Sequence, residues 1–138
     1  MSRMIQPSPL LRGVLKADLV LSAATALSMT LGAGPLSSAT GLPEGLLLAV
    51  GVALLPWLAL LLWLQRRAQL PSMGVWAVIV LNALWAVDCV LVAAVAMPGA
   101  GWHLTAAGLG FAITQAVGTV LLAEFQFLGL KHSRPVAA

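Results

Sequence analysis

Four stretches of the sequence, at about 10–31, 45–64, 74–96 and 104–128, are long, apolar and nearly free of charge. A bilayer core is about 30 Å thick, and a helix needs roughly 20 apolar residues to cross it. Each stretch is near that length. The pattern predicts an all-α fold: an integral membrane, antiparallel four-transmembrane-helix bundle. Hydrophobic residues make up 61% of the chain and charged residues 8%. Soluble domains carry about 25% charged residues, so this composition cannot supply a water-exposed surface. The spans leave only short loops, and residues 1–138 read as a single transmembrane domain.

The placement of charge predicts the orientation. Arg3, Arg12 and Lys16 precede or open the first span, Arg66 and Arg67 lie between the second and third, and Lys131 and Arg134 follow the fourth. Segments 32–44 and 97–103 contain no Lys or Arg. Excess basic residues mark cytoplasmic loops, so both termini are expected in the cytoplasm. The net charge of +3 invites a nucleic-acid reading. Its confinement to the span flanks points instead to anionic lipid headgroups, and no nucleic-acid partner is expected.

Smaller features refine this outline. The first span resembles a secretory signal, with a basic start and a small-x-small site around Ser37 and Ala39. Asp18 interrupts its apolar run, which predicts a retained helix. Arg12 and Lys16 are expected to snorkel toward the headgroups. Gly32-Ala-Gly-Pro35 reads as a helix stop followed by an external loop, and Pro43 with Glu44 as the start of span two. Pro56 removes a backbone hydrogen bond inside span two and predicts a kink. Trp63, Trp76 and Trp102 sit at span ends as interfacial anchors. Trp57 and Trp85 fall mid-span, where they pack or face a ligand. The residues after Lys131 read as a loose tail.

Function must lie with the few polar residues inside the spans, because an ionisable group at the bilayer centre costs roughly 2.5–3.5 kcal/mol. At 100° per residue, Asp18, Ser22, Thr25 and Met29 form one stripe, the expected interior face of span one. Asn82, Trp85 and Asp88 spread over about 120° of span three. Asn82 falls at a depth close to Asp18, within reach of a hydrogen bond that offsets part of the burial cost. Asp88 lies toward the outer half, with no partner named by the sequence. In span four, Gly110, Thr114, Val117, Leu121 and Glu124 share one face, and Gly110, Thr114 and Gly118 have the spacing of close helix approach. Gln115, Thr119 and Gln126 point nearly opposite. One face is expected to pack within the bundle and the other on a second protomer or another membrane protein. Glu124 lies near the cytoplasmic boundary, within reach of Lys131 or Arg12. The candidate ligand- or ion-binding residues are therefore Asp18, Asn82, Trp85, Asp88, Gln115 and Glu124.

Several chemistries have no support. Cys89 is the single cysteine and lies within a span, so neither an intramolecular disulfide nor a dithiol pair can form. His103 and His132 flank opposite ends of span four, about a membrane thickness apart. They cannot share one metal or haem within a protomer. No histidine–carboxylate metal set, phosphate loop or serine nucleophile elbow occurs. Neither a cofactor nor a metal is expected.

Gly41-Leu-Pro43, Leu54-Leu-Pro56, Val75-Trp-Ala-Val-Ile79 with Asn82-Ala-Leu-Trp85, and Glu124-Phe-Gln126 ahead of Leu128-Gly-Leu-Lys131 carry a likeness that extends over most of the chain. In these segments the sequence is similar to a group of small, uncharacterised bacterial four-span inner-membrane proteins. The resemblance implies a multi-pass protein of the bacterial cytoplasmic membrane and carries no activity. The leading expectation is a non-enzymatic membrane protein that binds a partner protein, a lipid or a lipophilic ligand. The alternative is an oligomeric proton- or cation-coupled carrier or channel for a small solute.

Overall fold

The computed structural model describes residues 3–95 and 103–137. Four long helices dominate it: α1 (Pro9–Leu31), α3 (Glu44–Gln65), α4 (Ser72–Val95) and α5 (Ala106–Lys131), with a short α2 (Ala33–Thr40) after the first. All four long helices have the length and apolarity needed to cross a membrane. At about 1.5 Å per residue they rise some 33–39 Å. Their exteriors are apolar: Leu21, Leu27, Val52, Leu55, Leu84, Val90 and Val117 are each more than half exposed. Lipid suits such a surface and water does not.

The helices pack in the order α3, α1, α5, α4, with α1 touching both α3 and α5, and α4 lying against α5. The close approaches are made at glycine. A Cβ on Gly129 of α5 would lie 2.8 Å from the backbone of Leu11 in α1, and one on Gly51 of α3 would lie 2.7 Å from Thr30. Gly110 and Gly118 have nothing near their Cβ positions. The close-packing residues of α5 are instead Gly108, Ala112, Ala116, Ala123 and Gly129, all buried, with Gln126 buried among them. The expected approach motif is thus out of phase by two residues.

A small sheet closes one end. Strands β1 (Met4–Gln6), β2 (Leu70–Pro71) and β3 (Arg134–Pro135) pair antiparallel in the order β2-β1-β3. The tail after Lys131 is therefore tied down, contrary to the expected loose end. Both prolines sit on edge strands, where a missing N–H breaks no ladder. Ser8 caps α1 by accepting from the Leu11 N–H at 3.2 Å, and donates to Gly129 O at 2.8 Å. That single residue joins the start of α1 to the end of α5.

Arg12 reaches across to the end of α3. It is half-buried and donates to the carbonyls of Leu64 and Gln65, at 3.3 and 3.2 Å, to Arg67 O, and to Ala68 O at 2.9 Å. Leu64 and Gln65 end α3 and Arg67 and Ala68 follow it, where carbonyls have few or no backbone donors. All seven basic residues lie at this sheet end or within about two turns of it.

The opposite end is closed by α2, which occupies what the sequence reads as a loop. Pro35 is tolerated because it stands in the first turn of α2. Gly41 then ends the helix at φ 77°, the left-handed conformation that glycine adopts without penalty. Thr105 caps α5, accepting from Gly108 N–H at 3.0 Å and donating to Ala39 O at 2.6 Å. A side chain at Gly108 would collide with Thr40 O. The expected anchor Trp102, residue 96 at the end of span three and the loop 97–101 lie outside the described residues. Trp63 and Trp76 are exposed at the sheet end, with the Arg67 guanidinium 4.2 Å above the Trp63 ring.

Buried apolar residues form two separate cores. Leu11, Leu15, Leu61, Leu64, Leu70, Val75 and Val78 fill the sheet end, and Met29, Ala33, Leu42 and Leu47 fill the other. The space between them is not filled.

Candidate functional site

That space is a cavity of about 820 Å³ between α1, α3, α4 and α5. Its wall runs through residues 18–28, 50–60, 81–88 and 111–122, which is mid-height on every long helix. Leu21, Leu81, Leu84 and Asp88 belong both to the wall and to the exposed surface. The cavity therefore opens sideways, between helices, rather than at either end. Aliphatic side chains, Phe111, Trp57 and Trp85 make up most of the wall.

The floor, toward the sheet-end core, is polar and closed. Asp18 is 0% exposed, Gln126 0% and Asn82 4%. Asn82 Nδ2 donates to Asp18 Oδ2 at 2.6 Å and to Gln126 Oε1 at 3.2 Å; Gln126 Nε2 donates to the same Asp18 oxygen at 2.7 Å. Ser22 Oγ donates to Asp18 Oδ1 at 3.0 Å and in turn accepts from Trp57 Nε1 at 3.1 Å. Every helix of the cavity contributes. The network also bridges α1 and α4, whose backbones do not pack along their lengths. Among the described residues no fully buried polar side-chain atom lacks a partner. A buried group left unpaired costs roughly 1–3 kcal/mol, so this floor holds the four helices in one register.

The sequence places Asp18, Ser22, Thr25 and Met29 on one stripe, and the structure turns all four inward. The expected Asp18–Asn82 hydrogen bond is present. Trp85, Asp88 and Gln115 also line the cavity. Gln115 reaches toward Thr25 at 3.5 Å, the limit of a hydrogen bond. Asp88 makes no hydrogen bond or ion pair among the described residues.

Glu124 stands apart. It is exposed on the outer face of α5, away from the cavity. Neither expected partner meets it: Lys131 Nζ lies 4.7 Å over the Phe127 ring, and Arg12 is engaged with α3 carbonyls. Sequence reasoning missed Gln126, Ser22 and Trp57 as members of one network. The run of small residues from Gly108 to Gly129 marks the buried side of α5, and Gln126 lies within it.

Among the described residues, no group of three or more His, Cys, Asp or Glu is arranged to hold a metal ion. His103 and His132 flank opposite ends of α5, and His132 Nδ1 is 2.7 Å from Leu128 O. Comparison with protein-family models, with curated proteins and with solved structures finds no match.

Proposed function

We propose that this chain is a non-enzymatic integral membrane protein that holds a lipophilic ligand in its mid-height cavity. In this reading the helices form an antiparallel four-helix bundle in a bacterial cytoplasmic membrane, with both termini and the small sheet in the cytoplasm. The clustering of every Lys and Arg at the sheet end supports that orientation. The bacterial setting rests on the sequence resemblance. The observation that carries the function is the cavity: apolar walls, a fixed polar floor and a sideways opening at the level of lipid chains. Ligand sites are concave, mostly apolar and furnished with a few convergent polar groups, at about 300–1,000 Å³.

Native mass spectrometry of protein released gently from membranes tests this. Gly118 lines the cavity and has open space at its Cβ position. The wild type should retain a lipid or small molecule that Gly118→Leu loses. A bare wild-type protein in every preparation would contradict the reading.

Two observations favour a second reading, an oligomeric proton- or cation-coupled carrier. Asp18 and Asp88 line one cavity at different heights. Glu124 is exposed on an outer helix face at membrane depth, where a second protomer would shelter it. Vesicles carrying a pH dye would report flux that Asp88→Asn abolishes. Absence of flux excludes this version.

A further inference from the structure

Every charged residue of the cavity wall is acidic. Asp18 and Asp88 are present, and no Lys, Arg or His is, although the chain carries a net charge of +3. The carboxyl of Asp18 is enclosed and accepts three hydrogen bonds from neutral donors. Asp88 is exposed at the opening and has no protein partner among the described residues. Trp85, three residues earlier on α4, lines the same wall, and residues at that spacing are neighbours on a helix surface. A carboxylate beside an indole ring is a site for a positive head group, through a charge-assisted hydrogen bond and the attraction of a cation to the ring face.

Five of the neutral groups share this bias. Asn82 is almost fully buried and lines the cavity, yet its two hydrogen bonds both leave from Nδ2 and its Oδ1 accepts none. The hydroxyl hydrogens of Ser22, Thr25, Ser28 and Thr119 are all committed to acceptors within the protein. These groups offer a guest lone pairs and no hydrogens. Thr114, Gln115 and the Trp85 indole keep neutral donors on the wall, so the charge it offers a guest is negative only, beside aromatic faces and aliphatic surface.

We propose that the guest is an amphiphilic organic cation, a protonated amine bearing an apolar body. Its ammonium group sits between Asp88 and Trp85 at the opening, and its apolar part lies along Leu54, Leu60 and Leu122. This rests on the reading of the cavity as a ligand site and adds the sign of the ligand's charge.

The test uses the full-length protein in phosphatidylcholine nanodiscs, titrated with octylammonium, octanol and octanoate, with empty nanodiscs subtracted for partition. Tryptophan emission and titration heat report binding. Octylammonium should bind saturably, and octanol and octanoate at least about tenfold more weakly, since a hydrogen bond to a charged group contributes roughly 1.5–3 kcal/mol. Asp88→Asn should weaken octylammonium by a similar factor, Asp88→Glu should restore most of it, and Trp85→Leu should weaken it a few-fold. Equal binding of octylammonium to the wild type and to Asp88→Asn overturns the proposal. If octanol binds as well as octylammonium and Gly118→Leu abolishes both, the ligand site stands and the cation assignment falls. If no probe saturates, both fall.

Discussion

Asp18 and Asp88 line one cavity under opposite conditions. Asp18 is sealed into the floor, where two amides and a hydroxyl donate to it and a tryptophan supports the hydroxyl. Asp88 stands at the opening with no partner among the described residues. The floor is built like a structural clamp: each member would leave others unpaired if removed, and four helices converge on it. The opening is built like a contact surface, since nothing in the described fold needs the Asp88 charge there. In a lipid-embedded chain the two kinds of acidic residue look alike by hydropathy and differ only in what surrounds them. Stability should therefore follow the floor, and ligand response the opening.

That contrast can be broken by substitution. The largest effect is expected for Asp18→Leu, which strips the acceptor from Asn82, Gln126 and Ser22 at once. Thermal unfolding in detergent should show a loss of about 3 kcal/mol or more; a change under ~0.5 kcal/mol would mean that the network does not hold the helices. Gln126→Leu removes one donor and one acceptor from the same floor and should cost about 2 kcal/mol by the same assay. Next comes a pair of glycines on α5. Gly129→Ala drives a methyl against the Leu11 backbone and should cost roughly 1–3 kcal/mol. Gly118→Ala meets open space and should change stability by less than about 1 kcal/mol, in the stabilising direction. If both glycines respond alike, the assigned packing face of α5 is wrong. Smallest of all, Asp88→Asn should leave the unfolding midpoint unchanged within ~0.5 kcal/mol, and a large loss would move Asp88 into the structural class.

The sequence made some of this legible. Four spans follow from length and hydropathy, and the inward stripe of α1 follows from the 100° step, because Asp18, Ser22 and Thr25 are polar marks on an otherwise aliphatic helix. Matching depth on two spans expected to run in the same direction is enough to pair Asn82 with Asp18. The same logic failed on α5, where Gln115, Thr119 and Gln126 mark one face and Thr114 and Glu124 another. Lipid and protein interior are both apolar, so periodic hydrophobicity cannot say which face turns inward. Small-residue spacing can, and two such patterns run along α5. In the one through Gly108, Ala112 and Ala116 all three are buried and Gly108 meets α2, whereas Gly110 and Gly118 of the other meet nothing at their Cβ positions.

Short elements were hidden for different reasons. α2 carries Gly34 and Pro35 in its first turn, which read as punctuation in sequence yet fit a helix start. Strands β2 and β3 each contain a proline, a residue that argues against a strand except at an edge. Their existence depends on tertiary contact with β1, which no local pattern encodes. Arg12 similarly reads as a headgroup-seeking side chain until the end of α3 is seen beside it.

The most direct measurement is an experimental structure of the protein in lipid nanodiscs, prepared without added ligand. It should show non-protein density between Trp57, Trp85 and Asp88, with the Asp18 carboxyl held by Asn82 and Gln126 beneath it. Helices closed together with no space between them, or Asp18 turned out among the acyl chains, would contradict the account.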